Sequence, residues 1–169
     1  MYKIIFVLSI SMFITNSANA QQTINPNIKH DWEDSRYTVN ANGTVLDKKT
    51  NLIWKKCSQG LSGSTCATGT ATTHNWQQAL DLSDTSTFAS FSDWRLPNIK
   101  ELRSVSAYDR YNPAINITIF PNTPTSYFLS SSPIANFSYE SWVLNFYYGY
   151  DTNSYRSNNY YVRLVRGGQ

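Results

Sequence analysis

Apolar and polar residues alternate in short runs near the start of the chain and again near its end. This period of two predicts β-strands, because successive side chains of a strand lie on opposite faces. An Asn-Gly pair at Asn42 separates the first two runs and is typical of a hairpin turn. The predicted strands cover residues 37–39, 44–46, 52–54, 127–131, 141–146 and 160–166.

Two helices are predicted between these groups of strands. The first covers residues 73–83, where Trp76, Ala79 and Leu80 recur at helical spacing and Thr73 or Asn75 can cap. The second covers residues 98–105 and begins with a capping box formed by Asn98 and Glu101. Strands, two helices and strands in this order predict an α+β fold with a mainly antiparallel sheet. The two ends of the domain are expected to share one sheet.

The segment just before the second helix combines charged, aromatic and proline residues. It contains Asp93, Trp94, Arg95 and Pro97, with Glu101 following in the helix. One hypothesis makes Asp93 and Arg95 part of a ligand or metal site. The other, which we favour, makes the segment a structural motif with Trp94 in the core, since charges beside a capped helix start already have structural partners.

The first twenty residues are typical of a secretory signal peptide. Lys3 precedes an apolar run, and Ala18-Asn19-Ala20 matches a cleavage site. The run is shorter than the roughly 20 apolar residues of a membrane span, although an uncleaved anchor is the alternative. We therefore predict a signal peptide over 1–20, a flexible N-terminal arm over 21–35 and one domain over 36–169, without a membrane span.

The composition mainly argues against certain classes of function. Charged residues make up 15% of the chain and the net charge is +3, which does not favour a nucleic-acid partner. No catalytic set is recognisable, because His30 and His74 are the two histidines and neither follows a nucleophile motif. We expect no enzyme activity, no cofactor and no metal; a hydrolase is a remote alternative.

The chain contains two cysteines, Cys57 and Cys66. An exported chain meets an oxidising compartment, so a disulfide between them is expected. The alternative, a metal site, lacks nearby histidines and the usual short cysteine spacing.

A Tyr- and Asn-rich segment at 147–160 is the best candidate for a binding site and is predicted to be a hairpin tip or long loop. Tyrosine rings can stack on sugars, while amide and guanidinium groups donate hydrogen bonds. In the alternative interpretation several tyrosines point into the core of a hairpin. Lys55 and Lys56 could add to the site. The candidate ligand-binding residues are Tyr148, Tyr150, Asn153, Tyr155, Arg156 and Asn158.

Read in order, these motifs resemble the Lcl C-terminal domain family of bacteria. The resemblance implies a fold similar to C-type lectins and a place on cell-surface and adhesive proteins, without a catalytic centre. The Glu-Pro-Asn and Trp-Asn-Asp motifs of calcium-dependent lectins are absent from the sequence. The matching motifs are 43–47, 50–54, 76–80, 93–102, 112–115, 120–123, 127–132, 142–146 and 162–166.

The sequence thus predicts an exported, non-catalytic binding module that recognises a glycan or a cell-surface partner. It would be secreted, periplasmic or attached to the cell surface. The alternative is a structural or assembly component of an envelope or pilus-like complex, with the aromatic segment as a protein interface.

Overall fold

The computed structural model describes residues 22–29 and 31–168, so the predicted signal peptide and His30 lie outside the described residues. Within this part of the chain, two α-helices lie between two groups of strands. The helices are α1 (Trp76–Asp84) and α2 (Ile99–Ser104). The strands are β1 (Thr23–Ile24), β2 (Tyr37–Val39), β3 (Thr44–Asp47), β4 (Leu52–Lys55), β5 (Leu61–Ser62), β6 (Thr68–Gly69), β7 (Thr73–His74), β8 (Arg110–Tyr111), β9 (Tyr127–Ile134), β10 (Phe137–Asn145), β11 (Tyr150–Tyr155), β12 (Tyr160–Tyr161) and β13 (Val165–Gly167).

Two sheets make up most of the structure. A five-stranded sheet has the order β11-β10-β9-β12-β7, and a four-stranded sheet has the order β13-β4-β3-β2. Neighbouring strands run antiparallel except for β12 and β9, which are parallel. The predicted α+β class with mainly antiparallel sheets and two helices is confirmed. The prediction that the two ends of the domain share one sheet is also confirmed, since β2 and β13 belong to the same sheet.

The last predicted strand, 160–166, is divided between the two sheets. β12 joins the five-stranded sheet and β13 joins the four-stranded one. Val162, Arg163 and Leu164 connect them and are buried. The run alternates well enough to suggest one strand, but its middle residues serve as the link between sheets.

The core has two clusters, one on each face of the five-stranded sheet. Phe128 and Leu144 belong to one cluster, and their chain neighbours Leu129 and Val143 belong to the other. Successive residues of a strand point to opposite faces, so the centre of this sheet is covered on both sides.

Both helices begin at a capping box. The Asn98 side chain accepts from the backbone N–H of Glu101, and the Glu101 carboxylate accepts from the backbone N–H of Asn98, as predicted. Helix α1 begins at Trp76, with Asn75 as its cap, rather than at Thr73. Residues 73 and 74 pair with β12 instead, so tertiary pairing shortens the predicted helix.

The segment predicted as a flexible N-terminal arm lies against the domain in its described part. β1 pairs with β8, and the Gln22 amide donates to the carbonyls of Pro113 and Ile115 at 2.6 Å each. Trp32 is buried, and its indole N–H donates to the Ser104 carbonyl at 3.0 Å. In its described part this segment therefore contacts the domain through a buried aromatic ring and through hydrogen bonds to main-chain carbonyls.

Candidate binding surfaces

The segment predicted as a loop at 147–160 is largely strand. After a turn over residues 146–149, β11 pairs with β10 at six consecutive positions, from Asn145 opposite Tyr150 to Glu140 opposite Tyr155. Of the two predicted forms, the structure therefore shows the hairpin and not the long loop. Its sequence, Tyr-Asp-Thr-Asn-Ser-Tyr, is polar on both faces because β11 is an edge strand of the sheet, so no apolar alternation marks it.

Pairing along β11 separates the six candidate ligand-binding residues into two groups. Tyr148 and Tyr150 lie at one end, whereas Asn153, Tyr155, Arg156 and Asn158 lie towards the other. Tyr150 and Tyr155 are five residues apart, which corresponds to about 17 Å along a strand, and they point to opposite faces. The structure therefore does not bring the six residues together in one site.

The side chains of the second group mainly stabilise the local structure. The Arg156 guanidinium lies 4.1 Å from the centre of the Trp76 ring, and its Nε donates to the Glu140 carbonyl at 3.1 Å. The Asn153 amide donates to the Glu140 carboxylate. Asn158 donates to the Ser154 hydroxyl at 3.1 Å. Tyr155 stacks on Tyr139 with a centroid distance of 5.8 Å.

Exposed tyrosines at the other end of β11 form a continuous row. We call Tyr111, Tyr148 and Tyr150 the tyrosine row. Tyr148 lies between its two neighbours at centroid distances of 6.4 Å each, with interplanar angles of 26° and 21°. The three side chains are 43%, 63% and 45% exposed, respectively. The row therefore offers nearly parallel aromatic rings to the solvent.

The backbone beneath the tyrosine row is held by the loop at 106–115. Asn112 N–H donates to the Tyr147 carbonyl at 2.8 Å, and Ala114 N–H donates to the Phe146 carbonyl at 2.6 Å. Gly149 is required here, because its φ is +87° and a Cβ would lie 2.9 Å from the Ser106 hydroxyl. Sequence analysis missed Tyr111, since its chain segment has no periodicity and reaches the row only through these long-range contacts.

Polar groups surround the row. The Tyr127 and Tyr150 hydroxyls are 3.0 Å apart. The hydrogen bond with Tyr150, followed by one with Asn145, lowers the pKa of Tyr127. Below the turn, Arg103 Nε lies 3.3 Å from the Asp151 carboxylate and donates to the Tyr108 hydroxyl at 3.2 Å. The row thus combines apolar ring faces with hydroxyl and charged groups at its border.

The charged residues of segment 93–102 have partners within the fold. Both guanidinium nitrogens at the end of Arg95 donate to the Glu101 carboxylate at 2.7 Å. Arg166 Nε donates to Asp93 at 2.7 Å, which links the segment to β13. Trp94 is buried, and the Pro97 carbonyl accepts from Ser131 N–H at 2.8 Å.

The two cysteines and His74, which Sequence analysis considered as possible reactive groups, have contacts within the fold. Cys57 and Cys66 form the predicted disulfide, with Cα atoms 5.3 Å apart. His74 lies 3.0 Å from the Thr72 hydroxyl, and burial lowers its pKa. Over residues 22–29 and 31–168 no cluster of three His, Cys, Asp or Glu side chains could hold a metal ion. A search of the same residues finds no helix long and apolar enough to span a membrane.

These features define a disulfide-bonded α+β domain with a row of exposed tyrosines. The family model of the Lcl C-terminal domain matches residues 43–166, which covers most of the chain. The chain therefore belongs to the Lcl C-terminal domain family, as the resemblance implied. No curated protein matches it.

Proposed function

We propose that this protein is an exported, non-catalytic binding module that recognises a glycan through the tyrosine row. The observation that carries the proposal is the arrangement of Tyr111, Tyr148 and Tyr150, three exposed and nearly parallel rings on a fixed backbone. Sugar rings present C–H groups that pack on such faces, and the hydroxyls at the ring tips can exchange hydrogen bonds with the sugar.

The backbone under the row supports this proposal. Gly149 and the hydrogen bonds from Asn112 and Ala114 hold the turn that carries Tyr148. Binding therefore requires little ordering of the main chain, which lowers the entropic cost of association.

The proposal has three further parts, each with its own support. A C-type lectin-like fold is proposed from the family resemblance. Export is proposed from the signal-like residues 1–20, and the Cys57–Cys66 disulfide is consistent with an oxidising compartment. The destination is then the periplasm, the cell surface or the medium. Absence of catalysis is proposed because the carboxylates of Asp93, Glu101 and Glu140 are bonded to neighbouring side chains of the fold.

The experiment is a glycan array with the chain from residue 21 onwards, followed by calorimetry on the best neutral ligand. Tyr148→Ala should weaken binding about 5-fold, since one ring contact contributes on the order of 1 kcal/mol. The matched control is Tyr139→Ala, which removes another exposed tyrosine at the opposite end of β11. Equal losses in both variants, or no glycan bound by the folded protein, would refute the proposal.

A second candidate function is an assembly component that binds another protein. It is favoured by the edge position of β11 together with Phe137, Tyr139 and Tyr155, which are 46%, 55% and 55% exposed. Exposed strand edges can pair with a strand of a partner. Co-purification with one envelope protein, lost in Tyr139→Ala but kept in Tyr148→Ala, would favour this function over the first.

A further inference from the structure

A groove of about 880 Å³ lies beside the disulfide, away from the residues of the tyrosine row. Its walls are the β2–β3 turn at 40–43 and the disulfide loop, and Lys55, Lys56 and Phe88 complete the lining. This volume is within the usual range for sites that bind small molecules, roughly 300–1,000 Å³. None of the candidate residues 148–158 lines it.

The lining of the groove is positively charged. Its charged residues are Lys55 and Lys56, and none of the described residues that line it is acidic. Most of the other lining residues offer amide, hydroxyl or main-chain groups, among them Asn40, Asn42 and Gln59. A negatively charged ligand with a polar body would match these groups.

Lys55 is one of the two cations that line the groove. Its ammonium donates to the Ser86 hydroxyl at 2.7 Å and lies 5.0 Å from the centre of the Phe88 ring and 5.6 Å from that of Trp94. Burial lowers its pKa, and no described carboxylate offsets this effect. An ammonium has three donors, so Ser86 leaves capacity for an anion, and the partial burial strengthens such an interaction.

The main chain that carries both lysines is anchored from behind by Arg163. This side chain is fully buried and donates to the carbonyls of Lys55, at 3.0 Å, and of Lys56. It also donates to the Ser58 hydroxyl at 3.1 Å. Burial lowers the pKa of Arg163 to about 9, so the guanidinium remains charged at neutral pH and adds positive potential behind the groove.

The opposite wall is also fixed. Lys56 N–H donates to the Gly43 carbonyl at 3.0 Å, which joins the β2–β3 turn to the base of the disulfide loop. A Cβ at Gly43 would lie 2.9 Å from Phe88 Cζ, so the ring packs closely over this turn. A Cβ at Gly60 would lie 2.2 Å from the Thr70 carbonyl oxygen, which shows how tightly the disulfide loop is folded. The groove is thus formed before any ligand arrives.

The geometry points to a second binding site in this groove, one that takes a small, hydroxyl-rich organic acid. The carboxylate of the ligand binds the Lys55 ammonium, the amide and hydroxyl groups of the walls accept and donate to its polar body, and Phe88 contacts its carbon skeleton. This site is independent of the tyrosine row and does not require the proposed function to hold.

The test uses gluconate and glucitol, which share a six-carbon polyol and differ in one carboxylate. Each is titrated into the isotopically labelled chain from residue 21 onwards and followed by NMR. Gluconate should shift amide signals of 40–43 and 55–64, and glucitol should bind at least about 10-fold more weakly, as expected for the loss of a charge-assisted hydrogen bond. Equal affinities, or shifts confined to other residues, would overturn the proposal.

Substitutions of single lysines test which ammonium group binds the carboxylate of gluconate. Lys55→Met keeps an unbranched side chain that is one atom shorter and lacks the charge, and it should weaken gluconate binding at least about 10-fold. Lys48→Met, which removes an exposed lysine outside the groove, should not weaken it. Tyr148→Ala should leave gluconate binding unchanged, so this test is separate from that of the glycan surface. If circular dichroism shows that Lys55→Met is unfolded, the amide shifts that gluconate causes in the unsubstituted protein decide whether the groove binds it. Retained affinity in folded Lys55→Met would refute the role of Lys55.

Discussion

Similar sets of exposed aromatic rings lie near the two ends of β11, but the main chain that carries them is held very differently. In the tyrosine row the centroids are 6.4 Å apart, and at the other end Phe137, Tyr139 and Tyr155 are 5.9 and 5.8 Å apart. The row stands on a turn bound to the loop at 106–115. The other set stands at the β9–β10 hairpin, where residues 135–139 are exposed and the register shifts between Phe137 and Ser141.

The difference teaches that ring spacing alone does not define a binding surface. Affinity depends on the entropic cost of ordering the surface when the ligand binds. A main chain that is already fixed by long-range hydrogen bonds has a smaller cost. We therefore expect a preorganised surface at the row and an adjustable one at the hairpin. Five predictions test this contrast.

The largest effect is expected from Asp47→Asn, which acts on the support of the row. Arg36 donates to Asp47 at 2.7 Å and to the Ser104 carbonyl at 2.9 Å, just before the loop at 106–115. The substitution leaves a buried guanidinium without its carboxylate and should lower the free energy of unfolding by about 4 kcal/mol. Urea denaturation measures this change, and the exposed Asp84→Asn should cause almost none.

The same pair predicts acid sensitivity. Burial raises the pKa of Asp47, but hydrogen bonds from Arg36 and Thr50 outweigh burial and hold the pKa below its ordinary value of 3.8. The contribution of Asp47 is therefore complete above pH 3.8 and is lost as the pH falls below it. In Asp47→Asn this part of the acid destabilisation should disappear. An unchanged pH profile of unfolding would contradict the assignment.

Gly149→Ala should have the next largest effect. The added Cβ would lie 2.9 Å from the Ser106 hydroxyl and 3.1 Å from Ala114 Cβ, at a φ of +87°. Strain and overpacking together should cost about 3 kcal/mol of unfolding free energy. The control is Gly167→Ala, because a Cβ at Gly167 meets nothing within 4 Å. Similar losses in the two variants would show that the turn is not tightly held.

Arg156→Ala should cause a moderate loss at the opposite end of β11. The substitution removes the contact with the Trp76 ring and the hydrogen bond to the Glu140 carbonyl. We expect unfolding free energy to fall by about 1 kcal/mol, with partial recovery in Arg156→Lys, which keeps the cation. Binding at the tyrosine row should not change, and a loss of glycan binding would place Arg156 in the site after all.

The smallest effect on stability is expected from Tyr150→Phe, which removes the hydroxyl that bonds to Tyr127. Because that hydrogen bond lowers the pKa of Tyr127, its pKa should rise towards the ordinary value of 10.0 in the variant. NMR titration of the tyrosine ring carbons measures this directly. Tyr155→Phe is the control and should leave Tyr127 unchanged. Stability should change by less than about 0.5 kcal/mol.

Local signals account for what the sequence predicted correctly. The Asn98–Glu101 capping box and the strands at 37–39 and 52–54 depend on short-range spacing, and the structure confirms them. Asn42-Gly43 likewise marks the turn between β2 and β3. The position of Trp94 in the segment before a capped helix also predicted that it is a core residue, and it is buried.

What the sequence did not predict depends on contacts between distant segments. β11 is polar on both faces, so its pairing with β10 leaves no periodic pattern. Tyr111 joins the row, and Trp32 is buried, only because the loop at 106–116 folds against other parts of the chain. Consequently the sequence predicts one binding site for six residues that the β10–β11 pairing separates into two groups.

The division of residues 160–167 between two sheets has a consequence for the timing of folding. β12 completes the connection between β9 and β7, and β13 completes the four-stranded sheet beside β4. During synthesis from the ribosome, neither sheet can close before these residues have been translated. The earlier strands should therefore lack a complete core until β12 and β13 are available, and both sheets should then fold as one cooperative unit.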